Sequence, residues 1–306
     1  MTQITNDPKL TAKVLNTGGV VGLPTETVYG LAARVDNAVA ISRVYAIKER
    51  PVHHPLIVHA YDIGQCCDWG FMSDAAQTLA NTYWPGPLTL LVKRTNRISD
   101  QITGGRDTVA LRVPNHPMAL KVLQGLSVPV VAPSANKFGR VSPTTAHHVL
   151  TDLADEVDLI LDGGACVIGL ESTILDCTTR EVQVLRPGFL AAADITLATG
   201  IAITPPSGPS RAAGMLEHHY APLCRVELFE TRDQAFEALS LLKLKGTTGE
   251  ILDYGTDLAA YAHDIYDDLR QCDIKKIKVA LCVLPPPIGI GVAIRDRLGK
   301  AASSEG

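Results

Sequence analysis

GGVVGLPTETVYGLAA, residues 18–33, is the stretch from which the rest of the chain can be read. It begins as a buried strand, with Val20, Val21 and Leu23 following a glycine pair. Pro24 stops that pattern. Thr25, Glu26 and Thr27 then bring three polar side chains together before Tyr29, Gly30 and Leu31 return to apolar sequence. A buried strand ending in a polar knot fits an open α/β sheet, whose ligands favour strand ends. The same knot is also compatible with a tight turn in which the side chains only cap backbone groups.

Outward from this stretch, apolar runs alternate with helical patterns. Strands are expected at Gly19–Leu23, Leu56–Val58, Leu88–Lys93, Val109–Val113, Val128–Ala132, Leu159–Asp162, Ser172–Asp176 and Val182–Leu185. Helices are expected at Pro8–Thr17, Ala38–Ile47, Ser73–Tyr83, Pro117–Gln124 and Thr144–Leu153. This alternation predicts an α/β or α+β sheet with packed helices. Prolines 24, 114 and 133 close strands and send polar loops toward one region. After Leu190 small residues, Pro and Gly dominate, and Pro205–Ser210 reads as a linker. Beyond Pro222 the alternation resumes, with strands at Cys224–Phe229, Gly249–Asp253 and Lys278–Val283. Helices are expected there at Thr231–Leu242, Leu258–Gln271 and Ile290–Arg297. The expected organisation is a first domain over 1–200, a linker or lid over 201–222, and a small α/β domain over 223–306.

Composition narrows the class. The 306 residues are 46% hydrophobic and 20% charged, with net charge −4. Residues 1–190 carry 16 Lys+Arg against 17 Asp+Glu, and residues 191–306 carry 12 against 15. Neither part has the basic excess of a dedicated nucleic-acid binder. The seven cysteines are an odd number without CxxC spacing, which points to reduced thiols and a cytoplasmic location. MTQITNDPKL has no basic segment followed by an apolar one, so no secretory leader is expected. No apolar run approaches the ~20 residues that span a bilayer.

Three polar constellations recur at strand or helix ends. The first is the knot at Thr25–Thr27. In the second, AIKERPVHHPLIVHA, Lys48 and Arg50 close a helix and Pro51 and Pro55 extend the chain beyond it. These cations suit an anion clamp, or alternatively a helix C-terminus complementing its own dipole. His53, His54 and His59 fit no zinc spacing, so no metal site made by side chains is expected. The third, APSANKFGRVSPTTA, places Ser134, Asn136, Arg140 and Ser142 after a strand, as phosphate recognition or loop capping would need. Thr108 and Arg112 alternate onto one face of a strand. Ser172 and Thr173 follow Glu171, and Arg186 leads LRPG. GxxxxGK[ST], GxGxxG and GxSxG are all absent. Cations and hydroxyls without an evident nucleophile suit phosphoryl or nucleotidyl transfer.

GGVVGLPTETVYGL, KERP…HPLIVH, WPGPLTLLV, DTVALRVPNHP, APSAN…SPT, GLESTI and LRPG follow, in this order, the motifs of the YrdC-like domain. GMLEHHYAP and PPPIGIGVAIRDRLGKAA resemble the linker and the end of the two-domain form. The chain therefore resembles a two-domain threonylcarbamoyl-AMP synthase. The resemblance implies a twisted open mixed sheet with flanking helices and a smaller Rossmann-like C-terminal domain. It also implies a reaction, in which L-threonine, bicarbonate and ATP give L-threonylcarbamoyl-AMP and pyrophosphate. Other proteins then transfer the group to a tRNA adenosine.

By motif position, Thr27, His59, Arg112, Ser172 and the backbone near Ala132 are expected to bind threonine. Lys48, Arg50, His54, Thr108, Ser134, Asn136, Ser142, Arg186 and His219 are expected to bind ATP. Lys48 and Arg50 carry the catalytic role in this assignment. Mg²⁺ is expected on the ATP phosphates, with downstream threonylcarbamoyl-transferase proteins as partners, a weak tRNA contact and no membrane. The competing readings are a double-stranded RNA binder, a carbamoyl-transfer maturation domain, and a regulatory module that has lost its chemistry.

Overall fold

A computed structural model describes residues 2–207 and 220–303. In the first domain the strands are β1 (Gln3–Thr5), β2 (Val21–Leu23), β3 (Gly30–Arg34), β4 (Ile57–His59), β5 (Gly70–Phe71) and β6 (Leu88–Arg94). They continue as β7 (Thr108–Arg112), β8 (Val130–Val131), β9 (Leu159–Leu161), β10 (Thr173–Asp176), β11 (Val182–Arg186) and β12 (Ile203–Thr204). These twelve strands form one mixed sheet among the described residues, in the order β1-β9-β2-β3-β8-β4-β7-β6-β10-β11-β12, with β5 on β6. β12 draws Ile203 and Thr204, expected in the linker, onto the edge of the first sheet beside β11.

Local chemistry sets the helix ends. Asn37 caps the helix Ala38–Lys48 by accepting from the Ala40 amide, and His116 caps Pro117–Gln124 by accepting from Ala119. Both caps satisfy amides that the first helical turn leaves without partners. One core covers a sheet face with Leu31, Val58, Leu90, Leu111 and Val131 against Ile41, Val44 and Leu79. On the opposite face, Leu15, Leu123 and Leu126 pack on Val21, Val130 and Leu159.

The second domain is a parallel sheet of β13 (Arg225–Phe229), β14 (Gly249–Leu252) and β15 (Val279–Val283), ordered β13-β15-β14. Helices Arg232–Leu244, Leu258–Ile274 and Gly291–Ala302 flank it. Its core runs from Ile265, Leu269 and Leu298 to Val28, Val141 and Leu170 of the first domain. The two domains thus share a continuous apolar layer, and burial of that layer favours their docking.

Candidate active site

Register builds the site across the face of the sheet. Ile57 lies beside Ala110 and His59 beside Arg112 on parallel β4 and β7. Antiparallel β8 continues past them, so the Ala132 amide bonds the Ile57 carbonyl at 3.0 Å. Residues level on paired strands face the same way. The cavity therefore lies on the sheet face across β8, β4 and β7, and not at strand ends alone as the sequence suggested. The reason is that β8 and β4 run in opposite directions, so their ends cannot point to one rim. A cleft here is lined by residues including Thr25, Thr27, Arg50, Ser134, Glu171 and Tyr220.

The polar knot is a capped turn that also forms part of the wall. Thr25 Oγ1 accepts from the Thr27 and Val28 amides at 3.2 Å and donates to the Val28 carbonyl at 2.6 Å. Arg112 donates from Nη1 to Thr27 Oγ1 at 2.9 Å and from Nε to the Gly86 carbonyl at 3.2 Å. Its Nη2 lies 2.7 Å from Glu26 Oε1, an ion pair with both side chains 4% exposed. The angle of that pair falls outside hydrogen-bond geometry, so Nη2 and both Glu26 oxygens lack a hydrogen-bond partner. Nη2 is thus the one guanidinium nitrogen without a hydrogen bond, and a ligand carboxylate reaching it would share this buried cation with Glu26.

Glu49 ends the helix Ala38–Lys48 in the left-handed region, at φ 54°. That turn brings Arg50 into the cavity wall. There Nη2 donates to the Pro55 carbonyl at 3.0 Å and the guanidinium stands over the Phe138 ring. Burial lowers the Arg50 pKa to about 10, which leaves it cationic at neutral pH.

Lys48 goes elsewhere. It is 1% exposed and outside the lining, and its ammonium donates to the Ser134 and Asn136 carbonyls at 2.5 and 2.6 Å. Burial and the neighbouring Arg50 push its pKa well down. Lys48 therefore ties down the loop carrying Ser134, whereas the sequence had it facing the triphosphate. Asn136 is also outside the lining, and its amide caps the Lys137 and Arg140 carbonyls.

The remaining wall comes from Glu171, Ser172 and Arg186. Arg186 donates to the Ser172 carbonyl and hydroxyl at 2.9 and 3.1 Å, and the Ser172 hydroxyl pairs with Thr89 at 2.7 Å. Gly188 lets the LRPG turn pass this close, because a Cβ there would sit 2.3 Å from the Thr173 nitrogen. Glu171 accepts from Ser142 at 2.7 Å, and from Tyr266 and Arg297 of the second domain at 2.8 Å each. Burial would raise the Glu171 pKa, but Arg297 and then Arg186 hold it at about 2.

Of the residues expected from sequence, Thr27, Arg50, His59, Arg112, Ala132, Ser134, Ser172 and Arg186 line one cavity. Lys48, His54, Thr108, Asn136 and Ser142 do not. Ser142 is fully buried on Glu171. His54 stands behind the lining, where its carbonyl accepts from Arg50 and Tyr45 and its ring meets Phe138 edge-on. Thr108 opens β7 on the Arg112 face, about 13 Å from it at the usual strand rise. His219 falls outside the described residues. Glu171 lines the cavity but was assigned no role from sequence, and Tyr220, read from sequence only as part of the linker or lid over 201–222, lines it as well. A glutamate between Leu170 and a strand was the available signal, and its partner lies 126 residues downstream.

His59 gives the site a pH signature. Burial first, then Arg112, lowers its pKa to about 3. The ring is neutral when folded, with Nδ1 3.3 Å from the Ile57 carbonyl. An unfolded histidine binds a proton near pH 6.5 that this one refuses, so its contribution is lost as pH falls below 6.5. Urea unfolding at pH 7.5 and pH 5 should show His59→Gln losing about 2 kcal/mol less stability than the parent over that interval. Equal losses would mean that His59 is protonated in the fold.

The comparisons agree with this architecture. Residues 13–188 match the Sua5/YciO/YrdC family model, described as telomere recombination. Residues 190–303 match the model for the threonylcarbamoyl-AMP synthase C-terminal domain. A threonylcarbamoyl-AMP synthase of Bacillus subtilis is 36% identical, covering 97% of this chain and 94% of the relative. One from Vibrio vulnificus is 37% identical over 58% of this chain and 95% of its own length. The solved Pyrococcus abyssi Sua5 complexed with L-threonine superposes with a TM-score of 0.91 at 33% identity, covering 99% of this chain and 97% of that one.

Fold and site together define a two-domain nucleotidyltransferase with a YrdC-like catalytic sheet. The chain belongs to the threonylcarbamoyl-AMP synthase family.

Proposed function

We propose that this cavity converts L-threonine, bicarbonate and ATP into L-threonylcarbamoyl-AMP and pyrophosphate. The observation carrying the reading is the lining itself, in which three guanidinium groups, Arg50, Arg112 and Arg186, surround one space with neutral His59. That charge suits a carboxylate beside a polyphosphate. The likeness to a Sua5 structure holding L-threonine supports it.

Threonine takes the Thr27, His59, Arg112, Ala132 and Ser172 end, with its carboxylate on Arg112. ATP takes the Arg50, Ser134 and Arg186 end. The threonine amine and bicarbonate form a carbamate with loss of water. A carbamate oxygen then attacks the α-phosphorus, and the bond to pyrophosphate breaks. Arg50 and Arg186 offset charge on the transferring phosphoryl group. Mg²⁺ arrives on the ATP phosphates as part of the substrate. Glu171, the carboxylate of the lining, already has both oxygens hydrogen-bonded and is not offered to it.

The product is a mixed anhydride, which suits a transferase that passes the threonylcarbamoyl group to a tRNA adenosine in the cytoplasm, with at most weak tRNA contact here. Among the described residues no helix is long and apolar enough to cross a membrane. A pyrophosphate-release assay with threonine, serine or no amino acid, each with and without bicarbonate, tests the reading. Release is expected only with threonine and bicarbonate together, and undiminished release without either one would refute it.

A further inference from the structure

The second domain reaches the cavity from behind. Arg297 is 1% exposed, and its Nε donates to Glu171 Oε2 at 2.8 Å while its Nη2 donates to the Pro187 carbonyl at 2.9 Å. Glu171 directly precedes Ser172, and Pro187 directly follows Arg186. Ser172 and Arg186 are the hydrogen-bonded pair that lines the cavity. One side chain therefore grips both segments that carry this pair. Tyr266 adds a second donor to the same Glu171 oxygen and stacks on Tyr220, over whose ring the Arg297 guanidinium stands at 4.9 Å. The domains meet backbone to backbone beside this cluster. A Cβ on Gly169, at φ +79°, would lie 2.3 Å from the His263 carbonyl oxygen.

We propose that Arg297 is a positioning residue for the nucleotide end of the site: by clamping Glu171 and Pro187 it fixes Arg186, while Ser172 of the threonine end keeps its own bond to Thr89, so the C-terminal domain sets ATP recognition in this chain. The proposal rests on the assignment of Arg186 to ATP made above.

The clamp also settles charge. The groups facing Glu171 are Arg297, Arg186, Tyr266 and Tyr220, with Asp296 beside Arg297. Arg297 is the cation in direct contact and the larger of the two charges that keep the carboxylate ionised, with Arg186 second. Removing Arg297 leaves a buried carboxylate beside the ATP phosphates, with Arg186 as the next cation. Its pKa then rises, because burial is opposed by Arg186 and the Ser142 hydroxyl without the contacting cation. The ionised form repels phosphate and competes for Arg186, whereas the protonated form does neither.

The experiment uses the full chain and pyrophosphate release, with ATP and threonine varied separately between pH 6 and pH 8.5. Arg297→Met should raise the KM for ATP about tenfold while moving the KM for threonine less than about twofold. The ATP defect should grow as pH rises, and Arg297→Met combined with Glu171→Gln should remove that pH dependence and recover much of the affinity. A merely structural Arg297 would lower thermal stability without producing a pH-dependent ATP defect.

An unchanged KM for ATP in folded Arg297→Met, equal rises in both constants, or a defect flat across pH would each overturn the proposal. If Arg297→Met does not fold, Tyr266→Phe, which keeps the ring and drops one donor to the same oxygen, should give a smaller ATP-selective defect. Its absence overturns the proposal equally. Arg186→Met serves as the control. An unaltered KM for ATP there would show that the nucleotide assignment itself has failed, and the clamp would fall with it.

Discussion

Arg112→Met is expected to abolish threonine-dependent pyrophosphate release and to destabilise the fold in the same step. Two losses combine. The threonine carboxylate loses its cation in a buried cavity, where a charge-assisted bond contributes about 1.5–3 kcal/mol. Glu26 loses the guanidinium 2.7 Å from its carboxylate, and an uncompensated buried charge costs about 3–5 kcal/mol. The two effects separate in a double variant. Arg112→Met with Glu26→Gln should recover most of the melting temperature and none of the turnover. Near-parental activity in the folded double variant would show that Arg112 does not hold the amino acid.

The second large effect is expected at Lys48, for a reason that differs from its expected role as a phosphate clamp. Its ammonium is satisfied by two buried carbonyls, those of Ser134 and Asn136. Lys48→Met strands both, at about 1–3 kcal/mol each, and releases the loop that carries the Ser134 and Ala132 walls. Turnover should fall at least about 100-fold, the KM values for both substrates should rise, and the melting temperature should drop by several degrees. A pure phosphate clamp would behave otherwise, with stability intact and the defect confined to ATP and kcat. Thermal unfolding beside substrate kinetics decides between the two, and an unchanged melting temperature with lost turnover would favour the clamp.

Much of this architecture can be read from residues because local chemistry and burial agree. The run Leu88–Arg94 is buried through its first five positions and was evident as a strand. The helix Pro117–Gln124 lies where its proline and capping histidine put it. Short elements escaped. β1, β5 and β12 are two or three residues long, too short for a period to show. β3 was read as a mere return to apolar sequence, because Gly30–Arg34 is covered on both faces and does not alternate.

The site divides in the same way. Arg112, His59 and Ser134 were placed by the resemblance of their motifs, whereas the residues alone gave only a shared strand face for Arg112 and a polar loop after a proline-closed strand for Ser134. Lys48 was misplaced because a flexible four-carbon stem can point either to phosphate or to backbone, and only the loop's position decides. The Glu171–Arg297 pair was invisible, since nothing in a single sequence joins positions 126 residues apart.

The strand order has a consequence for synthesis on the ribosome. β1 waits for β9, β8 inserts between β3 and β4, and β10 joins β6 from far downstream. Few of these pairings can close while the chain is still short, and such distant pairings close slowly. The pocket cannot assemble before Arg186 has emerged, and its rear brace needs a further hundred or so residues. A nascent chain halted between these points would expose the apolar layer meant for the second domain, making it a client for chaperones instead of a weaker catalyst.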